Sequence, residues 1–356
     1  MLRFGLRGPA ASLLQLRQYS TIMPLSVSII IPNRNGAATI ASCLEAAYSS
    51  SYEDFEVIVV DDFSDDNSVG VIRHFPCKCV QLAEHSGASA ARNAGAENSN
   101  SDLLFFTDAD CLLNEDTLAI AVDSISSEDA KVVLGGTYSK RPADDTFYSR
   151  FQSVFVHFNE TRNPGSPDYV ATHAMLVNAE EFNKSGGFAE DYLPVLEDVE
   201  FSHRMRRNGY RLLLNPAIQV RHIFGFSLAG SMQNAFRKSM FWTAYSIKNK
   251  DLLKDSGTAS RGLKLNAAAW LINALLATLY VSSGEAHFLF AIWLISGMNL
   301  AMNRGLLAAF YQTGGAVFLA GATAYYLLIF PLAVGAGSIA GLLRYRGLLR
   351  AMRYTA

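Results

Sequence analysis

Leu103-Leu104-Phe105-Phe106-Thr107-Asp108-Ala109-Asp110 is the stretch that decides the reading of this chain. Four apolar residues run into two carboxylates that bracket one small residue. The apolar run reads as a buried strand of a parallel sheet. Asp108 and Asp110 then fall at its C-terminal end, where open α/β sheets bind ligands. Residues i and i+2 of a strand share a face, so a strand end can turn both carboxylates toward one cation. Hard cations that also take phosphate oxygens need carboxylates and few other protein ligands. An ordinary strand followed by a polar turn explains an isolated D-x-D equally well, so the flanking sequence has to decide.

Upstream, Val27-Ser28-Ile29-Ile30-Ile31-Pro32 reads as a strand ended by Pro32, followed by the polar turn Asn33-Arg34-Asn35-Gly36. Residues 37–50 place Ile40, Leu44 and Ala47 on one helical face. Phe55-Glu56-Val57-Ile58-Val59-Val60 is a second strand, ending in Asp61-Asp62, and Ser64 to Ser68 supplies capping residues for the next helix. This strand–helix repeat with carboxylates at a strand end reads as half of a doubly wound nucleotide-binding sheet. No G-x-G-x-x-G follows either strand, and no G-x-x-x-x-G-K-[ST] is present, so dinucleotide and P-loop readings fall away. Gly87-Ala88-Ser89-Ala90-Ala91-Arg92-Asn93-Ala94-Gly95 offers small residues for close ligand approach, with Arg92 as a cation at the sheet edge. An ordinary helix start with a surface arginine is the competing reading.

Downstream, Lys131 to Gly136 reads as another strand, 147–160 as an aromatic helix and Tyr169 to Val177 as a further strand. Leu196-Glu197-Asp198-Val199-Glu200-Phe201 opens a helix. Acids at a helix start complement its dipole. Three within four residues, beside a glycine-rich turn, also suit a carboxyl whose pKa is raised for work as a base. Arg211 to Leu214 and Ile218 to Val220 read as two short strands leading to His222.

In order and in strand context, these motifs resemble family 2 glycosyltransferases of the GT-A fold. The matching pieces are S-I-I-I-P-N-R-N, V-I-V-V-D-D-F-S-D-D-N-S, G-A-S-A-A-R-N-A-G, F-F-T-D-A-D, S-G-G-F and L-E-D-V-E-F-S-H-R, spread over residues 26–225. The resemblance implies a Rossmann-like α/β domain with a mostly parallel central sheet. Asp62, with Asp61 beside it, would contact the base of a nucleotide sugar, and Pro32 and Asn33 would wall the nucleoside. Arg92 would lie near the base or the phosphates. Asp108 would touch the ribose or the metal, and Asp110 would ligate Mg²⁺ or Mn²⁺. His222 stands where members of this fold place a third metal ligand; a buried structural histidine is the alternative. Asp198 matches the general base, with Glu197 as the other candidate, and the reaction would invert the anomeric carbon. The Q-x-x-R-W motif of processive synthases is matched only by Gln233 to Lys238, with Arg237 four residues after Gln233 and no Trp after it. Single addition is therefore expected over a processive polysaccharide synthase. A nucleotidyltransferase of related fold is disfavoured because no glycine- and lysine-rich triphosphate loop follows the first strand.

The 356 residues carry a net charge of −2, which excludes nucleic acid as the main partner. Half of them are hydrophobic, the mean hydropathy is +0.15, and no acidic residue follows Glu285. The four cysteines lack a metal-binding spacing, so a reducing compartment is the default. Leu228 to Leu253 reads as a basic, aromatic amphipathic helix suited to a membrane surface. Residues 265–284, 286–303 and 305–343 are uncharged runs, each near or above the ~20 residues that span a bilayer. Ser282 to Glu285 suits a hairpin turn, and Gln312-Thr313-Gly314-Gly315 divides the third run ahead of a spanning helix near 316–342.

The expected organisation is a presequence-like or misassigned start at 1–24, a catalytic domain at 25–225, an interfacial helix region at 226–262, and transmembrane helices with a basic tail at 263–356. The start resembles a mitochondrial transit peptide, but initiation at Met23 is preferred because the family is common in bacteria. The expectation is thus a multi-pass protein of the inner membrane with a cytosolic catalytic domain, a nucleotide-sugar donor and a lipid-linked or envelope-glycan acceptor. Three spans would carry the tail's Arg344, Arg346, Arg350 and Arg353 outside, against the positive-inside rule.

Overall fold

The computed structural model describes residues 25–190 and 195–354; the presequence-like segment lies outside the described residues. The chain begins with a strand–helix alternation: β1 Val27–Asn33, α1 Ile40–Tyr48, β2 Phe55–Asp61, α2 Ser68–Ile72, β3 Lys78–Gln81, α3 Ala88–Glu97 and β4 Leu103–Phe106. It continues through β5 Cys111–Leu113, α4 Thr117–Ser126, β6 Val132–Tyr138, α5 Phe147–Glu160, β7 Met175–Asn178, α6 Ala179–Lys184, α7 Glu197–Arg207 and β8 Arg211–His222. Five helices follow: α8 Leu228–Asn249, α9 Arg261–Ser283, α10 His287–Met302, α11 Arg304–Ala324 and α12 Phe330–Tyr354.

The sheet order is β3-β2-β1-β4-β7-β6-β8-β5. The first four strands are parallel, as the helical crossovers between them require. Central strands covered on both faces need continuous apolar runs, and Ile29-Ile30-Ile31, Val57 to Val60 and Leu103 to Phe106 are all buried. β7 then enters antiparallel to β4 and β6, so the second half of the sheet is mixed. This is a curled GT-A-type sheet followed by a helical region.

Two strand expectations change. Residues 169–174 do not join the sheet: Val170 N donates to Ser202 Oγ on α7 at 3.0 Å, and a 3-10 turn spans Thr172–Ala174 before β7 begins. The run is apolar because α7 and α8 cover it, as the cluster of Tyr169, Ala171, Val199 and Phe241 shows. The two short strands expected after Arg211 are one, β8. Its register against β6 shifts between Gly135 and Thr137, across from Pro216. A proline cannot donate to a ladder, so the strand bends there. Beyond the bend β8 stays paired with β6 and pairs with β5 along its other edge, which sets His222 opposite Cys111.

The C-terminal helices share the core of the sheet domain. Phe151 of α5 lies 5.4 Å from Phe310, 4.8 Å from Tyr325 and 5.3 Å from Phe330, ring centre to ring centre. Arg304–Arg346, which holds the third uncharged run, is still one of two stretches among the described residues long and apolar enough to cross a membrane, Arg261–Ser283 being the other. The third run breaks at Gly314 and Gly315, whose backbone leaves the helical region, and its aromatic residues lie on α5. α12 returns along α8. A Cβ on Gly337 or Gly341 would lie 2.3 Å from the Phe236 carbonyl oxygen or 2.4 Å from that of Met240. By contrast α9 and α10 form a protruding hairpin: Leu271, Val281, Phe290 and Trp293 are 66, 84, 64 and 71% exposed.

Gly136 sits where β8 shifts register, and a Cβ there would lie 2.4 Å from the Ile218 carbonyl oxygen. Gly136→Ala is expected to destabilise by about 1–3 kcal/mol through overpacking, read as a fall in Tm; an unchanged Tm would contradict this packing.

Candidate active site

The C-terminal ends of β1, β2 and β4 open on two adjoining hollows. The first, about 540 Å³, is walled by Pro32, Asn33, Asp62, Asp108, Asp110 and His222 among others. The second, about 640 Å³, lies toward α7 and α8 and includes Glu160, His173, Glu197, Asp198, Arg237 and Lys238. His85, Ala88, Arg92 and Asp108 line both and form the divide between them.

Arg92 dominates that divide. It projects from α3, and its side chain is only 4% exposed. One guanidinium nitrogen donates to Asp108 Oδ1 at 2.6 Å and another to Glu197 Oε1 at 2.8 Å. The arginine thus joins the end of β4 to the start of α7, and it crosses the face of Phe188 at 5.9 Å. Burial alone pushes a carboxyl up, yet the adjacent guanidinium holds Asp108 below its ordinary value. Arg92 is therefore engaged by two carboxylates rather than turned outward.

Asp61 and Asp62 divide the work of the β2 terminus. Asp61 faces inward, accepting from Asn33 Nδ2 at 2.8 Å, Ser64 Oγ at 2.6 Å and Ser64 N at 3.1 Å. Asp62 accepts from Ser86 N at 2.7 Å and Gly87 N at 2.9 Å and sits 2.8 Å from His85 Nδ1. Of the two, only Asp62 reaches the wall of the first hollow.

At the far side of that hollow, Asp110, Cys111 and His222 bring ligand atoms within 4.8 Å of one another. The pairing of β5 with β8 causes this, and Asp110 Oδ1 lies 3.3 Å from His222 Nε2. Burial drives the Cys111 thiol far above its ordinary pKa and keeps it protonated, so it is a poor ligand. Burial lowers His222 to about 4, leaving a neutral imidazole near pH 7. Burial and the neighbouring Asp108 charge push Asp110 up to about 7. A carboxylate raised by a second carboxylate, beside a neutral imidazole, is a donor set that a divalent cation would satisfy.

Asp198 lies one residue into α7. Burial, then the Glu197 charge, pushes its carboxyl up to about 7. That is the range of a general base near neutral pH. Across the second hollow, His173 Nε2 lies 3.5 Å from Glu160 Oε2, the His173 ring stacks on Tyr138 at 4.0 Å, and Glu160 accepts from Thr137 Oγ1 at 2.7 Å.

Sequence reasoning missed His173, Glu160, Tyr138 and His85 in these walls. Arg237 and Lys238 entered the sequence reading only through the partial Q-x-x-R-W match and the basic helix around it. The basic pair beside Gln233 was the one visible signal. Between residues 140 and 195, where the family motifs are sparsest, Glu160, Tyr169, His173 and Glu190 line the second hollow, and residues 191–194 lie outside the described residues.

The family model for Glycosyl transferase family 2 matches residues 28–184. The chain is 31% identical over 193 residues to glycosyltransferase AglE of Haloferax volcanii, covering 52% of this chain and 63% of that protein. It is 37% identical over 191 residues to an uncharacterized glycosyltransferase of Haemophilus influenzae, covering 49% of this chain and 60% of that one. In both cases it spans less than two thirds of the curated relative. Among solved structures, the mannosyltransferase PcManGT from Pyrobaculum calidifontis, in complex with GDP-Man and Mn²⁺, aligns over 91% of this chain and 88% of its own. The TM-score is 0.56 at 19% identity, a likeness of fold.

The raised Asp198 carboxyl has a consequence for stability. Its folded pKa of about 7 exceeds the ordinary 3.8, so the fold favours the protonated form. The resulting penalty is absent below pH 3.8, grows up to pH 7 and is constant above. Asp198→Asn should match the wild-type Tm near pH 4 and exceed it at pH 8; equal Tm values at both pH values would contradict the burial of this charge.

Proposed function

From the premise that residues 28–184 form a family 2 glycosyltransferase domain, we propose that this chain is a membrane-bound, metal-dependent, inverting glycosyltransferase. It moves a sugar from a nucleotide sugar to a lipid-linked or envelope-glycan acceptor. The observation that carries the reading is the two-hollow arrangement. One side offers carboxylates and a neutral imidazole, the other a raised carboxyl, and Asp108 and Arg92 stand between.

Pro32, Asn33 and Asp62 wall the nucleoside, and Asp61 acts behind them by holding Asn33 in place. Asp110 and His222 would hold Mg²⁺ or Mn²⁺, with Asp108 beside them as a further carboxylate for the metal or the ribose. The cation, when bound, offsets charge growing on the departing diphosphate. Arg92 fixes Asp108 and Glu197 at either side of the reacting sugar, and its charge faces the donor. Asp198 accepts the proton of the acceptor hydroxyl as that oxygen attacks the anomeric carbon, and Glu197 keeps the Asp198 pKa high. A single displacement from the face opposite the diphosphate inverts the configuration.

The exposed α9–α10 hairpin supports membrane attachment, since apolar side chains of this size in contiguous rows belong in lipid. α12 lies along α8 rather than crossing separately, so the hairpin enters and returns. Arg344 and Arg346 then stay on the cytosolic side with the catalytic domain, as the positive-inside rule requires. This topology would avoid the conflict posed by three spans. A C-terminal tag should be digested by protease added to the cytosolic face of sealed vesicles; protection there would reverse this topology.

The reading is tested with UDP-, GDP- and dTDP-sugars plus Mg²⁺ or Mn²⁺, read by thermal shift and by nucleoside diphosphate release. One donor should shift the wild type, and Asp110→Ala should remove the metal dependence of that shift. Asp198→Asn should keep the shift and lower kcat by about 10²–10⁴-fold. Near-normal turnover in Asp198→Asn would remove the base assignment.

A further inference from the structure

Four residues that line the two hollows carry a buried side-chain atom without a hydrogen bond: Asn33 Oδ1, Arg92 Nε, His222 Nδ1 and His173 Nε2. In Asn33, Arg92 and His222 the other polar atoms reach Asp61, Asp108, Glu197 and Asp110. His173 differs, because neither of its ring nitrogens makes a hydrogen bond among the described residues. Its one polar approach is to Glu160 Oε2 at 3.5 Å, longer than a hydrogen bond. Glu160 accepts from Thr137 Oγ1, and no arginine or lysine among the described residues pairs with it. His173 is 6% and Glu160 9% exposed. Buried polar groups are normally paired, so an unpaired imidazole backed by a carboxylate on the wall of a hollow points to a ligand that pairs with it.

The position of the ring narrows that ligand. His173 sits in the 3-10 turn Thr172–Ala174, and its carbonyl oxygen accepts from Thr107 Oγ1 at 2.9 Å. The turn is thereby fixed beside the end of β4, one residue before Asp108. The ring stacks on Tyr138 at 4.0 Å, and Tyr138 meets the His222 ring edge-on at 5.1 Å. One aromatic ring thus separates His173 from His222. Electrostatically His173 acts on Asp108 and Asp110 on one side and on Asp198 on the other. A sugar in transfer spans the same gap. Its departing diphosphate belongs beside Asp110 and His222, the attacking oxygen belongs beside Asp198, and the sugar ring between them passes His173.

We propose that His173 reads one hydroxyl of the sugar being transferred, with Glu160 behind it as a positioning residue. This rests on the glycosyltransferase reading above and adds a specificity-determining residue to it. Nε2–H points at Glu160, which sets the tautomer and leaves Nδ1 as a bare acceptor toward the hollow. The sugar hydroxyl donates to Nδ1, and the stack on Tyr138 holds the imidazole plane in register with it. A site built to pair with a hydroxyl rejects the analogue that lacks it, because the buried acceptor is then left unpaired. The donor therefore carries a free hydroxyl at that carbon, and its deoxy counterpart is refused.

The test uses the full chain in detergent with Mn²⁺ and no acceptor, followed by calorimetry. The probes are UDP-, GDP- and dTDP-linked hexoses and N-acetylhexosamines, the monodeoxy analogues of the one that binds, and UDP, GDP and dTDP alone. The wild type should bind one monodeoxy analogue about 10-fold or more weaker than its parent donor. In His173→Phe, which keeps a ring on Tyr138, the parent should weaken to the level of that analogue, and the analogue should bind as it does to the wild type. Glu160→Ala should behave likewise, whereas Glu160→Gln, which can still accept from Nε2–H, should keep most of the preference. The bare nucleoside diphosphate should bind every variant as it binds the wild type, which verifies folding; His173→Leu replaces His173→Phe if the latter fails that check. A wild type that binds every monodeoxy analogue as tightly as the parent overturns the proposal, and so does a folded His173 variant that keeps the wild-type preference. Wild-type preference in Glu160→Ala overturns the positioning role of Glu160. Failure of the wild type to bind any nucleotide sugar would remove the glycosyltransferase reading, a separate outcome from these.

Discussion

One buried arginine ties this site together. Arg92 reaches Asp108 at 2.6 Å and Glu197 at 2.8 Å, joining carboxylates that lie 89 residues apart in the chain. Without it, two acids would face each other across a desolvated gap, and an unpaired buried charge costs several kcal/mol. Removing one partner of such a triad is far more damaging than the worth of either bond suggests. The arrangement also sets the electrostatics on both sides. Asp108 is held charged; burial and then the Asp108 charge raise Asp110, and burial and then Glu197 raise Asp198. One cation thus separates two carboxyls that remain poorly compensated, one suited to a metal and one to a proton.

The sheet explains how those groups arrive. Parallel strands with helical crossovers deliver Asp62 and Asp108 at strand ends, and β8, held between β6 and β5, sets His222 opposite Cys111. The first part is local and was legible: continuous apolar runs ending in carboxylates have few other readings. The position of His222 in the motif order was also visible, but the reason for it was not. That reason is a pairing between β5 and β8, strands about a hundred residues apart in the chain. Arg92 was legible as a cation near the sheet edge and not as a bridge, because its partners come from the end of β4 and the start of α7. The continuous apolar run from Tyr169 misled in another way. Burial under α7 and α8 produces the same pattern as burial within a sheet.

The C-terminal region shows where hydropathy reaches its limit. Three uncharged runs read alike in sequence, yet they fill different places. The first two protrude as a hairpin, while the third breaks at Gly314-Gly315 and lays its aromatic residues on Phe151 and Phe155. Composition reports that a segment avoids water; it does not report whether protein or lipid replaces the water. The glycines at 337 and 341 did carry the information, since closely spaced small residues on a helix permit a neighbour's backbone to approach.

The stereochemistry of the product reports directly on the proposed single displacement assisted by Asp198. With the matched nucleotide sugar and no acceptor, water takes the place of the hydroxyl, and proton NMR follows the first sugar released before it equilibrates. The expected products are a nucleoside diphosphate and a free sugar of inverted anomeric configuration. A first-formed sugar of retained configuration, or release of a nucleoside monophosphate, would contradict it.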